Sequence, residues 1–150
     1  MDNLSVKKCQ ELLARNYIGR IAFMSGGSPD ILPITYYYDP ESNSIITYSS
    51  EGGKIEAMRK YGLVSFQVDE ITALDNWKSV LVHGEYEEMS GIDSRHLLHL
   101  FTEGVRKTIR EKEGLKTKFI SEFSSKVDKD RIPIVYRINI SEITGKQRLE

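Results

Sequence analysis

Apolar and polar residues alternate over several short stretches of this chain, as is typical of strands with one buried face. Together with runs of β-branched and aromatic residues, they predict strands over residues 20–24, 30–38, 45–48, 62–69, 77–88 and 132–140. Two turns separate the first three strands: Gly-Gly-Ser-Pro at 26–29 and Asp-Pro-Glu-Ser-Asn at 39–43. Short strands at hairpin spacing favour an antiparallel barrel over a parallel sheet built from βαβ units.

Helical spacing of apolar residues predicts three helices between these strands. Their apolar stripes are Val6, Cys9, Leu12 and Leu13 in the first, Ile55 and Met58 in the second, and Leu98, Phe101, Val105 and Ile109 in the third. Ser5 can cap the first helix, and Asp93 can cap the third, which is predicted to end near Glu113. The whole chain, 1–150, is therefore predicted to be a single mainly β domain with helical additions.

The remaining segments carry weaker patterns. Residues 71–76 are predicted to form a loop, 116–131 a helix plus an exposed loop, and 144–150 a polar tail. Pro33 is compatible with a strand only at a sheet edge or a bulge, because proline cannot donate a ladder hydrogen bond. Gly84 lies inside a long predicted strand and indicates a bulge or a close approach of another segment.

Composition excludes several classes of function. The 150 residues are 39% hydrophobic and 29% charged, with a formal net charge of −1, so no overall field attracts nucleic acid or an anionic membrane. No apolar run approaches the roughly 18–20 residues of a membrane span, and charged residues interrupt the first twenty positions. The single cysteine, Cys9, fits a reducing compartment. We therefore predict a cytoplasmic protein that binds neither nucleic acid nor membrane.

The stretch 45–60 carries the clearest candidate chemistry. A strand leads through Ser49 and Ser50 to a Gly-Gly pair and Lys54, which precede a short helix. Free amides at a helix N-terminus, small residues and a cation are the parts of an anion site, and phosphate is the usual anion. An ordinary strand–turn–helix connection with a solvated lysine is the alternative. The stretch is not a Walker loop, because the required early glycine is Tyr48.

Other constellations are less specific. His96, His99 and Glu103 share a helix face that is compatible with a metal, but Arg106 and Arg110 extend that face, so a solvated surface is predicted and no metal site. The Tyr36–Tyr38 run, together with Pro33, can wall a flat aromatic ligand or simply pack a sheet, and Trp77 at the start of a strand is typical of a core or interface residue. Tyr36 and His83 are candidate proton donors or acceptors by residue type alone, so no catalytic residue is assigned.

Several motifs occur in a fixed order along the chain. They are Gly19-Arg20-Ile21-Ala22, Leu32-Pro33-Ile34-Thr35-Tyr36-Tyr37-Tyr38-Asp39, Ile46-Thr47-Tyr48-Ser49 with Gly53-Lys54, Val64-Ser65-Phe66-Gln67-Val68-Asp69, Trp77-Lys78-Ser79-Val80-Leu81-Val82-His83-Gly84, Tyr136-Arg137-Ile138 and Thr144-Gly145-Lys146. From about residue 5 to residue 146, this order resembles the pyridoxamine 5′-phosphate oxidase-like family, in the flavin-nucleotide-binding branch that includes nitroimidazole-resistance proteins.

The resemblance implies a split β-barrel that forms a homodimer, with FMN bound at the subunit interface. By motif position, Lys54, the Gly53 amide and the hydroxyls of Ser49 and Ser50 would hold the phosphate. The remaining implied FMN contacts are Ile34, Thr35 and Tyr36 along the isoalloxazine, Thr47 and Tyr48 behind the ring and ribityl chain, and Trp77 and Ser79 from the other subunit.

The resemblance also implies an FMN-dependent oxidoreductase. Its small-molecule substrate would be a nitroaromatic or a pyridoxamine-phosphate-like compound, with NADH or NADPH as the electron donor. Two positions depart from relatives that oxidise pyridoxamine 5′-phosphate: Gly53 replaces an arginine, and Arg137-Ile138-Asn139 replaces an Arg-x-His. The alternatives are a flavin carrier or sensor without turnover, a domain with a vacated cleft, and haem or deazaflavin in place of FMN.

Overall fold

The computed structural model describes residues 1–114 and 133–149. Its strands are β1 (Asp2–Asn3), β2 (Ile18–Ser25), β3 (Ser28–Thr35), β4 (Tyr37–Asp39), β5 (Ser44–Ser49), β6 (Leu63–Ala73), β7 (Asn76–Glu88) and β8 (Ile134–Leu149). Its helices are α1 (Val6–Ala14), α2 (Gly53–Lys60) and α3 (Gly91–Glu113). The helix and loop predicted over 116–131, and the first predicted position of the last strand, Ile132, lie outside the described residues.

The eight described strands form one sheet in which every paired neighbour is antiparallel. The strand order is β3-β2-β6-β7-β8-β5-β4, and β1 pairs with β8 beside this path. The long β8 strand pairs with β7 along nearly its whole length, with β5 through its first part and with β1 near its end. The prediction of a mainly β, antiparallel fold with helical additions is confirmed.

Two apolar clusters lie on opposite faces of strands β5 and β8. The first cluster packs α1 and α2 against the sheet, and the second lies beneath α3. Ile45 belongs to the first cluster and Ile46 to the second, and both side chains are 0% exposed. On β8, Tyr136 belongs to the first cluster and its neighbour Val135 to the second. A strand buried on both faces needs consecutive apolar residues, which explains the uninterrupted Ile45-Ile46 pair.

The start of α1 follows the prediction. The Ser5 Oγ accepts a hydrogen bond of 3.2 Å from the Lys8 amide and so caps the helix. The buried face of α1 carries Cys9, Leu12 and Leu13 of the predicted stripe, whereas Val6, its first predicted position, is exposed. Cys9 packs on β8 at Gly145, where an added Cβ would lie 2.5 Å from the thiol sulfur, so only glycine allows this approach.

The prediction of a single strand over 30–38 is wrong, because the strand is interrupted at Tyr36 and forms two strands, β3 and β4. The Tyr36 amide donates to the Tyr17 carbonyl at 2.9 Å, and its hydroxyl donates to the Leu13 carbonyl at 2.7 Å. Its ring packs edge-on against Phe66, with centroids 4.8 Å apart. These core contacts turn the chain at a position that strand propensity alone cannot single out. Pro33 lies on β3, which is an edge strand, as predicted.

Two segments predicted to be irregular are strand. The predicted loop 71–76 is a hairpin, in which β6 and β7 meet across a two-residue turn at Leu74 and Asp75. The predicted polar tail is the second half of β8, as far as Leu149. Polar side chains cover the exposed face of that half while its backbone pairs with β7, so hydrophobicity alone gives little sign of a strand there.

The long helix α3 ends at Glu113 as predicted, but it begins at Gly91 with Ser90 at the N-cap position. Asp93 therefore lies in the first turn, where its charge still suits the helix dipole. Leu97, rather than the predicted Leu98, is buried on the stripe with Phe101, Val105 and Ile109. Within the described residues, no helix has both the length and the apolar character needed to cross a membrane.

The irregularity predicted at Gly84 is present. His83 pairs with Glu142 and Gly84 with Ile140, so Ser141 is an extra residue on β8. A Cβ on Gly84 would lie 2.3 Å from the carbonyl oxygen of Asn139. The bulge therefore brings two backbones into a contact that only glycine permits.

Candidate functional site

A cleft of about 350 Å³ opens where the ends of β3 and β5 meet the first turn of α2 and the middle of α3. This volume lies within the usual range for small-molecule sites. The residues lining it are Leu32, Pro33, Ile34, Thr35, Thr47, Tyr48, Ser49, Ser50, Lys54 and Phe101. Seven of them are residues for which the sequence predicted a binding role: Ile34, Thr35, Thr47, Tyr48, Ser49, Ser50 and Lys54.

One end of the cleft is apolar and braced by ring contacts. Tyr48 and Phe101 meet edge to face, with centroids 5.4 Å apart and planes at 76°. The Thr47 hydroxyl donates to the Thr35 carbonyl at 2.7 Å, which joins the end of β5 to the end of β3. Rings and β-branched side chains held in this way form a wall suited to a flat, largely apolar ligand.

The other end of the cleft is polar and cationic. Ser49, Ser50 and Lys54 line it, and the first turn of α2 begins at Gly53. The first amides of a helix have no partner within the helix, and the helix dipole favours an anion there. A Cβ at Gly53 would meet nothing within 4 Å, so an anion has room to approach this backbone. This set of donors fits a phosphate or a carboxylate.

An ion-pair network borders the polar end. Arg59 of α2 donates to both carboxylate oxygens of Glu51, at 2.5 and 3.1 Å, and to both oxygens of Glu88, at 2.7 and 3.0 Å. Hydrogen bonds from Arg59 hold the pKa of Glu88 below its usual range, and both glutamates raise the pKa of Arg59. Glu51 follows the lining residue Ser50 in the chain but does not itself line the cleft.

Four predicted site residues do not line the cleft. The predicted contact between the Tyr36 side chain and the flavin ring is wrong. This side chain is fully buried and its hydroxyl donates to the Leu13 carbonyl, so it lies in the core and not along the cleft. Gly53 is adjacent to the cleft through its backbone alone. Trp77 and Ser79 lie on β7, where the Ser79 oxygen accepts from Gln67 at 2.9 Å. Within one chain, the structure does not bring these two residues to the cleft.

Two lining residues, Leu32 and Phe101, were missed as ligand contacts, whereas Pro33 was predicted to wall a flat ligand together with the tyrosine run. Leu32 precedes the predicted segment on β3, and its place in the same motif was the available signal. Phe101 comes from α3, where helical spacing marks it only as a buried residue. Nothing in the sequence indicates which part of the sheet its helix covers.

The proton-transfer candidates lie elsewhere. Burial raises the pKa of the Tyr36 hydroxyl well above its usual range, and His83 is exposed on β7, with Nδ1 2.8 Å from the Ser65 hydroxyl oxygen. His96 and His99 are exposed on α3, and no cluster of metal-ligating side chains occurs among residues 1–114 and 133–149.

The Arg137 and Asn139 side chains, which stand where some relatives carry Arg-x-His, both bind Glu87. Arg137 Nε donates to the Glu87 Oε1 at 2.7 Å and Asn139 Nδ2 donates to the same oxygen at 2.9 Å. The bonds from Asn139 and Arg137 hold the pKa of Glu87 below its usual range. Both donors are thus engaged within the sheet rather than turned to the cleft.

The fold and the cleft define a small antiparallel β protein suited to a ligand with an apolar body and an anionic end. Residues 5–147 match the family model described as pyridoxamine 5′-phosphate oxidase, and the chain belongs to this family. A curated relative, an uncharacterized protein of Rhizobium meliloti, is 34% identical over 93 residues, which are 62% of this chain. The chain spans about 60% of that relative's length.

Solved structures confirm the split-barrel fold. An FAD-binding protein of Mesorhizobium loti superposes with a TM-score of 0.77 at 28% identity, covering 99% of this chain and 97% of that one. A candidate 5-nitroimidazole antibiotic resistance protein of Bacteroides thetaiotaomicron gives a TM-score of 0.67 at 14% identity, covering 96% and 85%. The predicted membership of the pyridoxamine 5′-phosphate oxidase-like family is therefore confirmed.

Proposed function

We propose that the protein binds a flavin nucleotide, FMN, and acts as an FMN-dependent oxidoreductase on a small molecule. The observation that carries this proposal is the cleft itself, in which a wall of ring and β-branched side chains ends at two hydroxyls, a lysine and a helix N-terminus. A tricyclic ring with a phosphate tail has the same division between an apolar body and an anionic end.

The donors of the cleft fit the parts of this cofactor. Ser49, Ser50, Lys54 and the amide of Gly53 would hold the phosphate, since a cation and several N–H and O–H donors suit a dianion. Ile34 and Thr35 would lie along the ring system, and Tyr48 and Phe101 would support it. Trp77 and Ser79 would contribute from the second subunit of a homodimer.

A bound flavin supplies the redox chemistry, and the protein supplies position and access. The Tyr48–Phe101 contact would orient the ring and exclude water from one side of it. The described residues that line the cleft include no carboxylate and no imidazole, so the side-chain groups there that carry an exchangeable proton are hydroxyls, among them Tyr48 Oη, and Lys54 Nζ. Protons for a reduced product would come from these atoms or from solvent water.

The substrate class follows from the final strand. Because Arg137 and Asn139 are both bound to Glu87, neither side chain is available to hold the phosphate of a pyridoxamine-phosphate-like substrate. We therefore favour a neutral aromatic substrate such as a nitroaromatic compound over a pyridoxamine-phosphate-like one. NADH or NADPH would be the electron donor in the cytoplasm.

The nucleotide form of the flavin needs its own test, because the similar Mesorhizobium loti protein is described as FAD-binding. Titration with FMN, FAD and riboflavin, followed by flavin fluorescence, compares the three directly. Tightest binding of FMN supports the proposal. Tighter binding of FAD would replace FMN as the cofactor while keeping the flavin assignment, and failure to bind any of them would overturn the proposed function.

The phosphate contact is tested by Lys54→Ala. The loss of one charge-assisted hydrogen bond is expected to weaken FMN binding by about 10–100-fold. Lys60→Ala is the matched control, because Lys60 lies on the same helix but outside the cleft lining. Equal FMN affinity in the Lys54 variant and the unchanged protein would refute the assignment of Lys54 to the phosphate.

A flavin carrier or sensor without turnover is the second candidate. The observation in its favour is the lack of an acid or imidazole among the described lining residues. Tight flavin binding with no oxidation of NADH or NADPH, in the presence of nitroaromatic acceptors, would favour this candidate over the enzyme.

A further inference from the structure

The Glu51–Arg59–Glu88 network suggests a role that goes beyond the phosphate contacts, and the inference rests on the proposed flavin function. Glu51 places a negative charge directly after Ser50 and three residues before Lys54, both of which line the polar end of the cleft. Neighbouring Cα atoms are about 3.8 Å apart, so an unconstrained Glu51 carboxylate would reach the space beside a bound anion. Such a charge would repel a phosphate.

Arg59 holds that carboxylate in place. It meets both oxygens of Glu51 and both oxygens of Glu88, so one guanidinium bridges the loop before α2 and the end of β7. The planar fork of arginine suits two such bidentate contacts, whereas a lysine would supply only a point charge. Glu51 does not line the cleft, and its charge is partly offset by a guanidinium that it shares with Glu88.

We propose that Arg59 is a positioning residue for flavin selection: it holds Glu51 away from the polar end of the cleft and thereby permits a phosphomonoester dianion to bind there. Arg59 itself does not line the cleft. The inference predicts a specific signature, because the effect must be confined to flavins that carry a phosphate. Riboflavin has the same ring and ribityl chain but no phosphate, so it measures the ring site alone.

The test measures dissociation constants for FMN and riboflavin in the full chain and its variants. Arg59→Gln is expected to weaken FMN binding by about tenfold, since both Glu51 and Glu88 lose their ion-pair partner and the released Glu51 carboxylate then lies near a dianion. Riboflavin affinity is expected to stay within about twofold of that of the unchanged protein. Adding Glu51→Gln to the Arg59 variant removes the repelling charge and is expected to restore FMN affinity to within about threefold.

Two single variants serve as controls. Glu88→Gln leaves the Arg59–Glu51 pair in place and is expected to leave FMN affinity nearly unchanged. Glu51→Gln alone is expected to keep or slightly improve FMN affinity. Thermal unfolding of each variant checks that it remains folded.

The same measurements distinguish a failure of the role proposed for Arg59 from a failure of the proposed flavin binding. Equal weakening of FMN and riboflavin in Arg59→Gln, or no recovery in the double variant, would show that Arg59 only braces the loop and would overturn the inference. FMN binding unaffected by Arg59→Gln would overturn it as well. Failure of the unchanged protein to bind either flavin would overturn the proposed function, and this inference with it.

Discussion

Glu70 of β6 shows how much one carboxylate can organise at the scale of a residue. It accepts hydrogen bonds from Arg15 Nη2 and Nε at 2.7 and 2.9 Å, and from Asn16 Nδ2 at 2.9 Å. Asn16 in turn accepts from Lys112 near the end of α3. Hydrogen bonds from Arg15, supported by Asn16, lower the pKa of Glu70 to about 2. Three elements are therefore tied together through a single ionised group.

This pKa predicts how stability depends on pH. Because the folded pKa lies below that of the unfolded chain, ionised Glu70 stabilises the fold fully above about pH 4.5 and loses this effect as the pH falls towards 2. Glu70→Gln is expected to cost about 1–2 kcal/mol in unfolding free energy at pH 7, a figure reduced for partial exposure of the pair. Urea unfolding of both proteins at pH 7 and near pH 2 measures the cost of the substitution at each pH.

The difference in unfolding free energy between the unchanged protein and the Glu70→Gln variant should be smaller near pH 2 than at pH 7. Glu56→Gln, an exposed change on α2, is the control and should cost little at either pH. A gap of the same size at pH 7 and near pH 2 would contradict the role assigned to the ionised carboxylate.

The grouping of residues at one end of the cleft could be predicted from the sequence where it depends on local structure alone. Ser49, Ser50 and Lys54 lie within one short stretch, so their arrival at one end of a cleft follows from a strand, a turn and a helix in sequence. Tyr36 failed because a tyrosine in a strand can face either side, and its bond to the Leu13 carbonyl depends on where α1 packs.

At the scale of an element, the bulge at Gly84 is the feature that positions β8 against β7. Gly84→Ala is expected to destabilise the fold by about 2–3 kcal/mol, because the added methyl group would meet the Asn139 carbonyl and backbone cannot rotate away as a side chain can. Chemical denaturation measures the loss. His83→Ala, at the neighbouring exposed position, should cost much less; equal losses would mean that the contact at Gly84 is readily relieved.

Element prediction failed for β8 for a physical reason. Beyond Ser141 the strand alternates, with Ile143, Gly145 and Gln147 more buried than Thr144 and Lys146. The signal was therefore present, but a glycine and a glutamine on the inner face make it weak. Backbone pairing with β7 stabilises this half of β8, and that pairing is a long-range contact that propensity does not encode.

At the scale of the whole molecule, the proposed homodimer would use the exposed face of the sheet that carries Ser79. Leu81 lies two residues further along β7 on the same face and is 37% exposed. Leu81→Glu is expected to convert a dimer to a monomer, because two carboxylates would be buried near each other. Sedimentation velocity measures the mass.

Ile92→Glu is the matched control, since Ile92 is 80% exposed at the start of α3. If the partner subunit completes the flavin site, the Leu81 variant should also bind FMN more weakly, while the Ile92 variant should not. A monomeric unchanged protein would contradict the homodimer and remove the proposed roles of Trp77 and Ser79.

Cys9, packed against the backbone of Gly145, can report how often α1 separates from β8. The thiol is 1% exposed, and burial raises its pKa, so an alkylating reagent can reach it as a thiolate only after α1 separates from β8. Since the sequence holds no other cysteine, the labelling rate at neutral pH should be at least about a thousandfold lower than in urea-unfolded chain. Each destabilising variant should raise that rate in proportion to the population of opened molecules, so the mass of the alkylated protein, followed over time, would rank the variants by their free energies of unfolding.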